Sequence, residues 1–130
     1  MATSELVKEL VDAGFLLVKT LDQQGVKVGT AFWVYEEEKT GEWRLVLSMP
    51  LVDEKGSAAA QDSIAGALKT AGIKHLYLRQ IVATSPRDPL VSAITRDVHA
   101  RAKAAKEGVR LTRSTIGNQW IDEVYVYRST

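Results

Sequence analysis

The sequence predicts an α+β domain: a mainly antiparallel sheet of about five strands with three helices on one face, in the order α-β-β-α-β-α-β-β. Three observations carry this. The pattern of a Gly, a β-branched residue and a cation recurs in QQGVK (23–27), TAGIK (70–74) and KEGVR (106–110). Glycine just past a helix takes the left-handed position without a Cβ clash, and the β-branched residue opens a strand. Helical apolar spacing lies upstream of each glycine, and two pairs of apolar runs are joined by turn signals.

The first helix is expected over 4–24, with Ser4 as N-cap and Leu6, Leu10, Leu17 and Leu21 near one face. Strands over 26–36 and 42–49 flank EEEKTGE, where Gly41 suits a turn. The second helix begins at Ser57 and runs to residue 71; Ile64, Leu68 and several alanines point inward and allow a close approach to the sheet. A single strand follows over 73–83. The third helix, 89–106, opens on Pro89, which the first turn tolerates, and buries Val91, Ile94, Val98, Ala102 and Ala105. Arg101, Lys103 and Lys106 gather at its C-terminal end, where the helix dipole favours cations. Strands 109–116 and 119–128 flank the turn Gly117-Asn118.

Length and composition fit one domain, 1–130, with 45% hydrophobic and 25% charged residues. The chain has no cysteine, which excludes disulfides and thiolate metal sites and suits a cytoplasmic location. The N-terminal apolar run, Gly14 to Val18, is far below the roughly 20 residues that span a bilayer. No membrane partner is therefore expected. Residues 1–65 hold 6 Lys/Arg and 11 Asp/Glu, whereas 66–130 hold 11 and 5. The simplest reading of this asymmetry is that the halves interleave into a mixed surface.

Turn lengths set the register and therefore the faces. A two-residue turn at Gly117-Asn118 pairs Leu111 with Val124, Val109 with Val126, Arg110 with Tyr125 and Thr112 with Glu123. A four-residue loop in the first hairpin pairs Tyr35 with Arg44. It sets Phe32, Val34, Leu45 and Leu47 on one side, with Trp33, Tyr35, Arg44 and Val46 on the other. In the strand AGIKHLYLRQI, Leu76 and Leu78 alternate with His75, Tyr77 and Arg79. A single sheet covered on one side would then display Trp33, Tyr35, Arg44, Tyr77, Arg79, Arg110, Tyr125 and Tyr127 together. Aromatic rings and guanidinium groups are what interfaces favour. The expected function is a non-enzymatic protein-interaction module that self-associates through this face, as a homodimer. A protein partner is the next possibility. A nucleic-acid-binding accessory protein using the same face is an alternative, opposed by the near-neutral net charge of +1.

Catalytic signals are few. The chain lacks a Cys nucleophile, His-Glu-x-x-His, a phosphate-binding Gly-rich loop and a dinucleotide fingerprint. His99 reads as an exposed helical residue and His75 as an exposed strand residue; a small enzyme centred on His75 and Arg79 is the third reading. Asp53-Glu54 precedes a helix, where acids suit the dipole. Asp122 and Glu123 are strand neighbours that point to opposite faces. Glu36-Glu37-Glu38 is a solvated hairpin tip. Ser85, Arg87 and Asp88 in TSPRDP could hold an anion, but a Pro-braced turn into a helix explains them equally. No catalytic residue, metal ligand or cofactor is assigned.

PLVDEKG (50–56), SPRDPL (85–90) and GNQWIDEVYVYR (117–128), taken in this order, resemble a family of small uncharacterised bacterial proteins. The resemblance covers about a third of the chain. It implies a bacterial, cytoplasmic origin and brings no activity, cofactor or site residue with it.

Overall fold

The computed structural model describes residues 8–35, 42–74, 76–101, 109–116 and 119–128. The fold is α+β. Its elements are α1 (Lys8–Gln23), β1 (Ala31–Tyr35), β2 (Trp43–Ser48), α2 (Pro50–Lys55), α3 (Ser57–Ala71), a 3-10 turn (Leu78–Gln80), β3 (Ile81–Thr84), α4 (Pro89–Arg101), β4 (Val109–Ile116) and β5 (Gln119–Arg128). The strands form one sheet in the order β3-β2-β1-β5-β4. The β1–β2, β1–β5 and β4–β5 pairs are antiparallel, and β2–β3 is parallel.

Glycine ends α1 and α3 as the sequence suggests. Gly25 and Gly72 have φ of 77° and 66°. Beyond each, the next amide folds back: Val26 N–H donates to Leu21 O at 2.9 Å and Ile73 N–H to Leu68 O at 3.1 Å. Only a residue without a Cβ takes this turn freely. The third such glycine, Gly108, and the cations Lys103 and Lys106 lie outside the described residues, as do Leu6 and the Glu36-Glu37-Glu38 tip. The short α2 was not expected; it occupies PLVDEK, with Pro50 in its first turn.

The helices do not share one face. Trp33, Tyr35, Trp43, Leu45 and Leu47 pack with Leu17, Val18 and Leu21 of α1 and with Ala60, Ile64 and Ala67 of α3. Phe32, Val34, Val46, Val124 and Val126 pack with Val91, Ala93 and Ile94 of α4. The sheet is thus the middle layer of three. The physical reason is topological. β3 and β4 are opposite edges of the sheet, so α4 must cross a face to join them, and α1 and α3 already cover the other.

Two further expectations are corrected. In the first hairpin Tyr35 pairs with Trp43 and Val34 with Arg44, one residue from the expected register. A one-residue slip moves Arg44 to the opposite side of the sheet from Tyr35. The second hairpin, in contrast, pairs Val109 with Val126, Arg110 with Tyr125, Leu111 with Val124 and Thr112 with Glu123. The expected strand over 73–83 is a strand only from Ile81. Before it, the Gln80 side chain accepts the Tyr77 amide at 2.9 Å and Gln80 N–H donates to Tyr77 O at 2.9 Å. These local bonds close a turn and replace a ladder.

One contact fixes how closely α1 approaches the sheet. Gly14, in the helix interior, faces Trp33 and Tyr127; a Cβ there would lie 3.0 Å from Trp33 Nε1 and would overlap the Tyr127 hydroxyl. Alanine at an interior helix glycine ordinarily stabilises by about 1 kcal/mol through propensity. Here Gly14→Ala is expected to destabilise by about 1–3 kcal/mol through overpacking, read from urea unfolding. A gain in stability would show that α1 does not sit at this distance.

Candidate interaction surface

The eight residues expected on one open face fall into four groups. Trp33 and Tyr35 are buried in the core beneath α1 and α3 and are not available to a partner. Tyr125 and Tyr127 share that side but lie at its margin, on β5, where they are only partly buried. Arg110 pairs with Tyr125 in the β4 ladder, so position 110 is on the same side. Arg44 is exposed on the opposite side, in a shallow groove with Val34, Val46, Val82 and Leu90. Tyr77 and Arg79 stand at the far edge, on the turn that leads into β3.

The margin at β5 is built as a unit. The buried Trp33 indole must find an acceptor for its N–H. It donates to the Tyr127 hydroxyl at 2.7 Å, and that hydroxyl in turn donates to the Val11 carbonyl of α1. Tyr127 is thereby held upright against the helix. Its ring meets Tyr125 edge-on with centroids 5.4 Å apart, and Phe15 of α1 at 6.5 Å. Phe15 lies off the face of Leu10, Leu17 and Leu21, so helical apolar spacing does not mark it. It is 60% exposed, and Leu16 beside it is exposed as well. Large apolar side chains rarely cluster in water without a use. Phe15, Tyr125 and Tyr127 form an apolar shelf next to β4, the terminal strand of the described sheet.

Tyr77 is a separate feature. It is 54% exposed, and the Arg79 guanidinium lies 5.2 Å from its ring centroid. Such exposed cation–π pairs contribute about 0.5–1 kcal/mol and stiffen both side chains. The enzyme reading needs His75, which lies outside the described residues, as does the side chain of His99.

TSPRDP reads as a braced turn. Ser85 Oγ donates to Asp53 at 2.9 Å and accepts the Arg87 amide at 3.1 Å, while Arg87 sits 3.6 Å from the same carboxylate. The Asp88 carboxylate accepts the Leu90 amide at 2.9 Å and caps α4. PLVDEKG and SPRDPL, two of the segments that carry the family resemblance, are therefore neighbours in space. The groups that could have held an anion are spent on one another. No cluster of three or more His, Asp or Glu able to hold a metal occurs among the described residues, and no helix among them is long and apolar enough to cross a membrane.

Comparison of the chain with protein-family models, with curated proteins and with solved structures finds no match.

Burial pushes the Tyr127 phenol well above the ordinary tyrosine value of about 10, and the hydrogen bond from Trp33 only partly opposes it. A group whose folded pKa is raised stabilises the fold fully below its unfolded pKa and loses that contribution as pH rises above it. Unfolding free energy is expected to fall as pH climbs above about 10, and Tyr127→Phe is expected to flatten that fall. An identical high-pH loss in Tyr127→Phe would assign it elsewhere.

Proposed function

We propose that the protein is a non-enzymatic interaction module that self-associates through the apolar shelf of Phe15, Tyr125 and Tyr127. The observation that carries the reading is Phe15: a phenylalanine 60% exposed, against Tyr127, which in turn meets Tyr125 beside an edge strand. Two features support a second copy as the partner. β4 is eight residues long, has no proline, and ends the described sheet, so its outer backbone groups suit antiparallel pairing with the same strand of another copy. Such pairing would set the two shelves on the same side of one extended sheet, with position 110 on that side in each copy. The proposal keeps Tyr125, Tyr127 and Arg110 of the residues the sequence points to and replaces Trp33 and Tyr35 with Phe15. Nucleic-acid binding finds less support. Its stacking platform would need the rings and guanidinium groups on one face, and they are divided between two faces and two edges.

The test is light scattering coupled to size exclusion at micromolar concentration, with absorbance at two wavelengths to detect carried nucleic acid. A dimer is expected, and Phe15→Ser should shift it towards monomer with unchanged circular dichroism. Loss of a central aromatic anchor is worth about 2 kcal/mol or more, about thirtyfold in dissociation constant. A wild-type monomer at every concentration, or a dimer indifferent to Phe15→Ser, would overturn the assignment.

A further inference from the structure

The chain leaves the carboxyl ends of the parallel strands β2 and β3 in opposite directions. After Ser48 it returns through α2 and α3; α3 packs on the Trp33 side. After Thr84 it crosses through α4 on the Phe32 side. Where successive crossovers part in this way, a crevice opens at the strand ends, and ligands of open α/β sheets bind in such places. Here the crevice is a cleft of about 460 Å³ lined by Lys27, Ser48, Pro50, Pro86, Val91 and Ser92. Small-molecule sites fall in the range of about 300–1,000 Å³.

Two observations say what the cleft would hold. The first is Ser48. It is only 1% exposed, and its Oγ accepts the Thr30 amide at 2.7 Å. Its hydroxyl proton has no acceptor in the described structure. A buried donor left unused costs about 1–3 kcal/mol, so its retention at the wall of a cleft points to an acceptor that arrives from outside the chain. The second is charge. Lys27 is exposed and has no ion pair among the described residues, and no described carboxylate lines the cleft. Asp88, the nearest acid in sequence to the α4 wall, lines the neighbouring groove beside Arg44 and spends its oxygens on Thr84 and the first amides of α4. The amides of α4 are thus already capped, and the recognition groups are side chains: the Lys27 ammonium and the hydroxyls of Ser48 and Ser92.

We propose that this cleft binds a small molecule bearing a terminal oxyanion. The oxyanion pairs with Lys27 and accepts the Ser48 hydroxyl proton, and the body of the ligand lies against Pro50, Pro86 and Val91. The site is remote from the Phe15 shelf in the chain and does not depend on self-association. A carboxylate and a phosphate offer the same acceptor chemistry, so both are used as probes.

Butyrate, acetate and inorganic phosphate are titrated separately into the full chain, and amide chemical shifts of Gly29, Ser48 and Ser92 are followed. Saturable shifts with butyrate, stronger than with acetate, assign a carboxylate with an apolar body; saturation with phosphate alone assigns a phosphate. Lys27→Gln, an exposed substitution that leaves the core untouched, should weaken either by about tenfold, the size of one lost charge-assisted hydrogen bond. Ser92→Ala should weaken it by a smaller factor. Absence of saturable shifts with all three probes would overturn the proposal and leave a buried water on Ser48 as the occupant. Equal affinity in Lys27→Gln would overturn it as well.

Discussion

A tryptophan indole N–H buried at the centre of a sheet must have an acceptor, and most of this architecture follows from how Trp33 obtains one. The neighbouring strand β5 supplies the Tyr127 hydroxyl, and that hydroxyl is itself anchored on the Val11 carbonyl of α1. The chain of three groups joins β1, β5 and α1, elements separated by much of the sequence. It sets the height of the helix above the sheet, which is why position 14 has no room for a side chain. It also fixes the Tyr127 ring upright, and Tyr125 and Phe15 arrange themselves around that ring. The exposed aromatic shelf is thus held in place by a buried polar requirement. Left unpaired, the indole would cost about 1–3 kcal/mol, a large fraction of the stability of a domain this size.

Local chemistry was legible wherever one residue type decides the geometry. Gly25 and Gly72 take positive φ because nothing else does so cheaply, and the register expected for the last two strands is the one the β4–β5 ladder has. The longer EEEKTGE connection offered several loop lengths, and its register was off by one, which moved Arg44 across the sheet. HLYLRQ alternates like a strand, yet a glutamine three residues after Tyr77 caps its amide and winds the segment instead. Period-2 alternation does not report such a competing side-chain bond.

The larger correction concerned the layers. A sheet with all its helices on one side would leave the face of Trp33 and Tyr35 open. Burial of Trp33 instead meets its polar demand inside the core, through Tyr127. The warning was present in AFWVY and in RLVLS, where apolar residues follow one another without polar alternation. Such runs mark a strand covered on both sides. Of the residues the sequence points to, Tyr125 and Tyr127 on β5 stay partly accessible because α1 and α3 centre on β1 and β2 and cover the β5 margin only in part. The two edges of the sheet then differ in kind. One carries an apolar shelf beside a long strand, and the other carries the Tyr77–Arg79 pair and a short parallel strand.

The central claim is that Trp33 and Tyr127 act as one energetic unit that latches α1 to the sheet. A double-mutant cycle tests it most directly: Trp33→Phe, Tyr127→Phe and the pair together, each unfolded in urea at neutral pH. The cycle cancels the lost indole volume and leaves the pairwise hydrogen bond. A coupling of about 1–2 kcal/mol is the expected result, with the double variant less destabilised than the two single losses added together. Additivity within about 0.3 kcal/mol would mean that the two groups do not depend on each other, and the latch would be contradicted.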